Sequence, residues 1–260
     1  MHGTYPPFVA DPQRVQPVIL AIETSNPTAE PGRSASVAVA LLDGSDAAPP
    51  RQVASVTLGP EESQGLLPSI DRCFKQCALT PDALRVPGSR IAVSIGPGGY
   101  TSIRLAVTAA KVLAESTGAL CIPVPTAHVA AARVSNPHPF AIALASKRET
   151  AWVAAFNPDR TEHRAIGISD ERVIDTLVSI GVDLLVVDRF APPAMVERAR
   201  ACGVRIQPPT FDALACCELG ARYQPLDPIE LEPLYPREPE AVTKWRVLHA
   251  STKGAPPHPG

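Results

Sequence analysis

A glycine-rich loop at residues 96–101 is the segment of this chain best suited to bind an anion. It reads Gly-Pro-Gly-Gly-Tyr-Thr and lies between an apolar run at 91–95 and a helical pattern that begins near residue 102. Backbone N–H groups in such a turn, with the N-terminus of the helix, direct positive partial charge at a ligand. The spacing fits neither the Walker motif with its lysine nor the dinucleotide fingerprint. One interpretation is therefore a tight turn that glycine permits beneath a closely packed helix. The other is an anion-binding loop formed by Gly96, Gly98, Gly99 and Thr101.

Nucleophilic and metal-ligating side chains are present, but they are scattered. The chain has no Gly-x-Ser-x-Gly elbow, and its six cysteines show no paired zinc spacing, which is typical of reduced packing thiols. His128 has no second histidine four residues away, and a lone histidine is most often structural or on the surface. We therefore predict no catalytic residue and no metal site in this chain.

The composition favours a globular protein without a large nucleic-acid surface. Of the 260 residues, 45% are hydrophobic and 19% are charged, which argues against global disorder. A formal net charge of -2 makes any contact with RNA local or indirect. The sequence has no apolar stretch long enough to span a membrane and no signal-peptide pattern at its start. We expect a cytoplasmic protein that does not bind membranes.

The first half of the sequence predicts a mixed sheet with helices. Apolar runs at 18–22, 36–42 and 52–58 indicate an antiparallel meander, with a turn at Asp43-Gly44. Residues 59–62 have the composition of a helix start, and Leu66, Ile70 and Phe74 follow at helical spacing. Pro68 then belongs in the first turn or marks a kink. The run at 91–95, a helix from about 102 to 117 that Gly118 stops, and a strand at 120–124 complete the lobe. The helix at about 102–117 is apolar nearly all round, which indicates burial on several sides.

The second half repeats this pattern less clearly. Runs at 140–145 and 151–156 predict paired strands, and 182–187 predicts a buried strand. Further segments predict helices at 173–180, 192–202 and 211–220 and a short strand at 204–207. Prolines recur too often between 225 and 239 for regular structure.

Three motifs resemble, in the same order, those of the TsaB family, a non-catalytic subunit of the bacterial machinery that makes threonylcarbamoyladenosine in transfer RNA. Residues 19–25 read Ile-Leu-Ala-Ile-Glu-Thr-Ser, residues 63–68 read Ser-Gln-Gly-Leu-Leu-Pro, and residues 96–104 continue the glycine loop to Arg104. Residues 233–237 resemble the family's closing Pro-x-Tyr-x-Arg. The family's pattern differs at Gly99, Tyr100 and Ser102, and it carries an aspartate that is missing near Ala145.

The resemblance implies an α/β protein with the actin-like ATPase (ribonuclease H-like) fold, in which two lobes each hold a mixed β-sheet flanked by helices. We expect a disordered tail at 1–17, a first lobe with partner-binding helices at 18–125, a smaller divergent lobe at 126–232, and a closing segment with a mobile tail at 233–260. The related catalytic subunit, TsaD, carries a His-x-x-x-His metal helix that is absent here, where the matching region holds only His128.

The resemblance also implies a scaffold subunit that binds and activates TsaD and, through it, meets the ATPase TsaE. ATP and metal belong to those partners, transfer RNA is contacted indirectly, and the isolated chain pairs with a second copy. The expected partner interface consists of Leu66, Leu67, Ile70, Phe74, Ile103 and Arg104.

Three alternatives remain open. The apolar stripe of the first helix is also the pattern of a helix that covers its own sheet. The chain could instead be a small-molecule kinase or another ATP-binding enzyme of the actin fold, because Glu23 stands where such enzymes place an acid; Glu23 also suits a local role at a strand end. A peptidase ranks last, since neither metal ligands nor a nucleophile is recognisable.

Overall fold

The structure of the chain is a computed structural model. Its core consists of two five-stranded mixed sheets. Helices flank both sheets, so the predicted α/β class with two lobes is confirmed. The structure describes residues 16–26, 35–42, 50–58, 65–146, 149–236 and 245, apart from the side chains of residues 52 and 53.

The first sheet has the strand order β3-β2-β1-β4-β5. Its first three strands pair antiparallel, whereas β1, β4 and β5 run parallel to one another. The predicted meander and the strand-helix-strand unit that follows it are therefore confirmed. The strands are β1 (Val18–Glu23), β2 (Ser36–Leu41), β3 (Arg51–Thr57), β4 (Arg90–Gly96) and β5 (Leu120–Pro125).

Two helices cover one face of this sheet. In α1 (Leu66–Gln76) the apolar stripe packs on β2 and β3, and Pro68 lies in the first turn, where a missing N–H costs little. In α2 (Tyr100–Thr117) the inner face packs on β4 and β5. The helix ends at Gly118, whose left-handed φ of 81° favours glycine, as predicted.

The second sheet repeats the topology of the first, with the order β10-β9-β6-β7-β8. A three-stranded antiparallel meander again precedes two parallel strands. Here α4 (Val173–Ser179) and α5 (Pro193–Ala201) are the connecting helices. The strands are β6 (Phe140–Ala145), β7 (Ala151–Phe156), β8 (Glu162–Ser169), β9 (Leu184–Val187) and β10 (Arg205–Gln207). Of these, β8 was not predicted, because only its last residues are apolar.

Two further helices of the described residues each pack against the sheet of the other lobe. In α3 (Thr126–Ala131), which follows the last strand of the first sheet, three alanines belong to the core of the second sheet. In α6 (Ala213–Gly220), which follows the last strand of the second sheet, the buried face packs on β1, β2 and β4 of the first. Residues 213–220 lie within the range expected for the smaller lobe, yet they cover the larger one.

After α6 the chain returns along the edge of the first lobe. The N–H of Leu226 donates to the carbonyl of Cys121 on β5 at 2.8 Å. A 3₁₀ turn at Pro228–Glu230 then packs beside α2, where Lys111 Nζ donates to the carbonyls of Ile229 and Leu231 at 3.0 and 3.2 Å. The described part of the proline-rich stretch therefore contains a turn of 3₁₀ helix, although no regular structure was expected there.

Several predicted features lie outside the described residues. They are the Asp43-Gly44 turn, the helix start at 59–62, the first two residues of the second motif, Arg237 and most of both tails. Within the described part, none of the helices combines the length and the apolar character that a membrane crossing requires.

Candidate functional site

The glycine loop lies at the carboxyl edge of the parallel strands of the first sheet. Strand β4 ends at Gly96, and α2 begins four residues later. Its neighbour β1 is parallel to β4 on one side and antiparallel to β2 on the other. The strand order of the sheet also reverses between β1 and β4, and open α/β sheets generally bind ligands in the crevice at the carboxyl ends of the strands at such a reversal. The loop therefore occupies the place where a ligand is expected in this lobe.

The chain's own backbone fills the part of this crevice next to β1. The N–H of Gly99 donates to the carbonyl of Ser25 at 2.6 Å. A Cβ atom at Gly98 would lie 2.3 Å from that same carbonyl oxygen, so only glycine fits there. Thr24 Oγ1 also donates to the carbonyl of Ser102 at 3.1 Å. The loop is thus a tight joint between β1 and α2, and one N–H that an anion would need is already in use.

Gly96 is the point where the closing segment of the chain docks. Its φ is 111°, and a Cβ atom would lie 2.8 Å from the carbonyl oxygen of Leu234. In the same place the N–H of Leu234 donates to the carbonyl of Ile95 at 2.7 Å. Two motifs that are far apart in the sequence therefore meet in the structure, and the close approach of the Leu234 backbone explains the glycine at position 96.

Two tyrosines and an arginine form a cluster at the N-terminus of α2. The rings of Tyr100 and Tyr235 lie with centroids 5.1 Å apart. The guanidinium of Arg104 donates to the Tyr100 hydroxyl at 2.8 Å and lies 5.2 Å from the centre of that ring. Thr101 is exposed beside them. The loop therefore brings together the four residues that were predicted for an anion site. Its glycines serve mainly as close contacts between backbone segments, next to this cluster.

Glu23 is buried at the end of β1, and its carboxylate is held locally. Its Oε1 accepts hydrogen bonds from the N–H and the Oγ of Ser25 at 2.7 and 2.5 Å. Burial raises the pKa of Glu23, and the bonds from Ser25 offset this only in part. Among the residues that the structure describes, its buried Oε2 has no hydrogen-bond partner. The prediction of a local role at the strand end agrees with the two bonds from Ser25.

His128 bridges two other side chains. Its Nδ1 contacts the Tyr223 hydroxyl, and its Nε2 lies 2.7 Å from Glu162 Oε2. The imidazole also packs edge-on against Phe156, with centroids 5.3 Å apart. A metal ion of the TsaD type does not fit here, because no three His, Cys, Asp or Glu side chains of the described residues cluster closely enough to hold one. Both ring nitrogens are engaged in a structural link.

The cysteines behave as packing residues. All six are free, and only Cys202 is not fully buried. Burial raises the pKa of Cys73 to about 12 and the pKa values of Cys77 and Cys121 to about 11. These thiols therefore stay protonated at neutral pH, which makes them poor nucleophiles.

The six residues predicted for a partner interface divide into two groups. Leu66, Ile70, Phe74 and Ile103 are buried in the core of the first lobe, because they lie on the helix faces that cover the sheet. Only Leu67 and Arg104 face outward. The stripe of α1 therefore covers its own sheet, which was the alternative interpretation, and the four buried residues cannot contact a partner in this arrangement.

A different set of apolar residues faces outward from the same two helices. Leu67 on α1 is 58% exposed, and Leu105 and Val112 on α2 are 57% and 62% exposed. Leu105 and Val112 are seven residues apart, so they lie on one side of α2 two turns apart. We call these three residues the outer helix face. They also correct the expectation that α2 is buried on several sides, because the apolar character of α2 continues onto its exposed side.

Comparisons with known proteins agree with this architecture. A family model described as TsaD, tRNA N6-adenosine threonylcarbamoyltransferase, matches residues 60–180. The fold is similar to that of an uncharacterized protein with similarity to peptidase YEAZ from Pseudomonas aeruginosa, with a TM-score of 0.63 and 19% identity over 85% of this chain and 100% of that chain. It is also similar to YeaZ from Pseudomonas aeruginosa, with a TM-score of 0.62 and 18% identity over 84% and 99% of the two chains. No curated protein matches the chain. The predicted two-lobed actin-like fold is the fold of these YeaZ structures.

Proposed function

We propose that this chain, which has the YeaZ fold and matches the TsaD family over residues 60–180, is a TsaB-type accessory subunit. It binds and activates a TsaD-like enzyme that transfers a threonylcarbamoyl group to adenosine 37 of transfer RNA. The observation that carries this proposal is the outer helix face of α1 and α2. Both helices lie inside the range that matches the TsaD family.

The outer helix face has the composition of a protein contact. Leu67, Leu105 and Val112 expose apolar side chains on rigid helices rather than on loops. Charged residues adjoin them, with Arg104 next to Leu105 and the Asp71–Lys75 ion pair at 2.6 Å on α1. Apolar centres with a charged rim are typical of surfaces that bind another protein.

The crevice of the first lobe supports a binding role more than a catalytic one. The N–H of Gly99 donates to the carbonyl of Ser25, and the two ring nitrogens of His128 contact the side chains of Tyr223 and Glu162. In this proposal ATP, metal and the reacting groups belong to the TsaD-like subunit and a TsaE-like ATPase, and transfer RNA is contacted through them. The isolated chain pairs with a second copy through the outer helix face.

Substitution of Leu105 tests the proposal. Leu105→Glu should weaken the complex with the TsaD-like protein of the same organism at least about tenfold, because it places a charge in an apolar contact. Gel filtration of the mixed proteins and a tRNA modification assay measure the effect. The matched control is Val178→Glu, which adds the same charge at a half-exposed valine of α4. Equal binding by both variants, with unchanged circular dichroism, would refute the proposed surface.

An ATP-binding enzyme of the actin fold is the second candidate. It is favoured by Glu23 at the carboxyl edge of β1, whose buried Oε2 has no hydrogen-bond partner in the described part of the chain. This candidate requires the isolated chain to bind nucleotide. Calorimetric titration of the chain with ATP, with and without magnesium, should give no binding heat if the accessory role is correct. Measurable affinity that Glu23→Gln abolishes would favour the enzyme instead.

A further inference from the structure

Strand β8 forms an open edge of the second sheet. It pairs with β7 on one side only, and it is the longest strand in the described part of the chain, with 8 residues. An edge strand leaves the N–H and C=O groups of alternate residues available to another extended chain. The register of β8 against β7 shifts twice, and Gly167 has a left-handed φ of 86°. Such irregularities limit a partner strand to a short segment.

A groove runs beside this edge, between β8 and α4. Its volume is about 530 Å³, which is enough for several side chains. Ile166 and Ile168 of β8 and Val173 of α4 provide its apolar surface. Thr150, Ser169 and Thr176 add hydroxyl groups. A strand added next to β8 would direct every second side chain toward this groove.

Among the described residues that line the groove, one positive charge is uncompensated. Asp170 and Arg172 both line it, but they neutralise each other in an ion pair of 2.5 Å. Arg164 also lines the groove, and its guanidinium has no ion pair with any residue that the structure describes. A carboxylate on the bound segment would complement it, because arginine pairs with carboxylates through two parallel hydrogen bonds.

We propose that this groove binds an extended, acidic segment of a partner protein, which adds a strand to the second sheet along β8. Branched aliphatic side chains of the segment pack on Ile166 and Ile168, and an acidic side chain pairs with Arg164. Backbone hydrogen bonds supply affinity, and the alternating side chains supply selectivity. The surface belongs to the second lobe, so it is separate from the outer helix face and does not depend on the proposed function.

Titration of the full chain with two peptides tests the proposal. The probes are short, acetylated and amidated peptides of equal length, one alternating valine with glutamate and the other alternating valine with lysine. In amide NMR spectra the glutamate peptide should shift resonances of β8 and α4 and slow the hydrogen exchange of β8. It should bind at least about tenfold more tightly than the lysine peptide, because only it complements Arg164.

Three variants make the test specific. Arg164→Glu should reverse the preference between the peptides, and Thr176→Trp, at an exposed position, should fill the groove and weaken both. Arg200→Glu makes the same charge change on the exposed side of α5 and should retain the preference. Shifts outside β8 and α4, equal effects of the two arginine variants, or normal binding by Thr176→Trp would each overturn the proposal.

Discussion

At the scale of single residues, the first lobe depends on close approaches between backbone atoms. Gly98 and Gly99 touch the carbonyl of Ser25, and Gly96 touches the carbonyl of Leu234. In each contact, a neighbouring main-chain carbonyl occupies the space that the side chain of another residue type would need. A loop that is filled in this way fixes the angle at which α2 leaves β4 and leaves little room for a ligand between β1 and α2.

Glu23 should make the stability of the first lobe depend on pH. Its pKa in the folded chain is raised above the ordinary value of 4.5, chiefly by burial, so the folded state holds the proton to higher pH than the unfolded state does. This contribution is fully present below pH 4.5 and is lost as pH rises toward the folded pKa. Relative to Glu23→Gln, the wild type should lose up to about 1.4 kcal/mol of unfolding free energy per pH unit in that interval. Urea unfolding of both proteins across this range measures the difference. Parallel stability curves would show that Glu23 titrates alike in both states.

At the scale of secondary structure, α1 separates a covering face from an exposed face. Ile70 is 3% exposed and packs in the core, whereas Leu67, three residues earlier, is 58% exposed. The two positions are equally apolar in the sequence. Only the direction of the helix relative to the sheet distinguishes them.

Arginine substitutions should separate these two faces. Ile70→Arg buries an unpaired charge and should lower the unfolding free energy by at least about 3 kcal/mol. Leu67→Arg changes an exposed side chain and should alter it by less than about 1 kcal/mol, while it weakens binding at the outer helix face. Thermal unfolding by circular dichroism, with gel filtration against the TsaD-like protein, measures both effects. Similar loss of stability in the two variants would contradict the assigned orientation of α1.

Much of the fold was predictable because local patterns agree with it. Buried β-branched runs mark β1, β2 and β9, and Gly118 marks the end of α2. Strand β8 was missed because polar residues occupy the half of an edge strand that faces solvent. Leu67 of the outer helix face was among the predicted interface residues, but Leu105 and Val112 were missed because they lie on a helix that is apolar on nearly every side, and periodicity does not indicate which side meets the sheet.

At the scale of the whole molecule, exchanged helices hold the two lobes together. Arg133, just after α3, makes two hydrogen bonds to Asp212, the capping residue of α6, at 2.7 and 2.9 Å. It also pairs with Glu218 at 3.1 Å. This contact could not be predicted, because the residues lie about 80 positions apart and neither helix shows in its sequence which sheet it covers.

Removal of Arg133 should destabilise the chain in a pH-dependent way. Burial raises the pKa of Asp212, but the bonds and charge of Arg133, together with the backbone N–H groups of Ala215 and Leu214, outweigh it, so the folded pKa lies below the ordinary value of 3.8. The stabilisation is therefore present above pH 3.8 and is lost as pH falls through the folded pKa. Arg133→Met should lower the unfolding free energy at neutral pH by about 1–3 kcal/mol, and by less in acid. Urea unfolding of the wild type and of Arg133→Met, at neutral pH and in acid, measures this difference in unfolding free energy.

The control for Arg133 is Arg198→Met, which removes an exposed ion pair with Asp175. That change should cost less than about 1 kcal/mol, because solvent screens the pair. If the two variants lose equal stability, the link between α3 and α6 contributes no more than an ordinary surface pair.

The docking of Leu234 beside Gly96 affects the order in which the two lobes can fold during protein synthesis. Ribosomes make the chain from its N-terminus, and early segments generally begin to fold first. Here the strands of the first sheet are covered by α6 and joined by Leu234, both of which are synthesised after the second sheet. The second sheet, at residues 140–207, is complete before either arrives. The first lobe therefore stays partly uncovered until translation has passed residue 234.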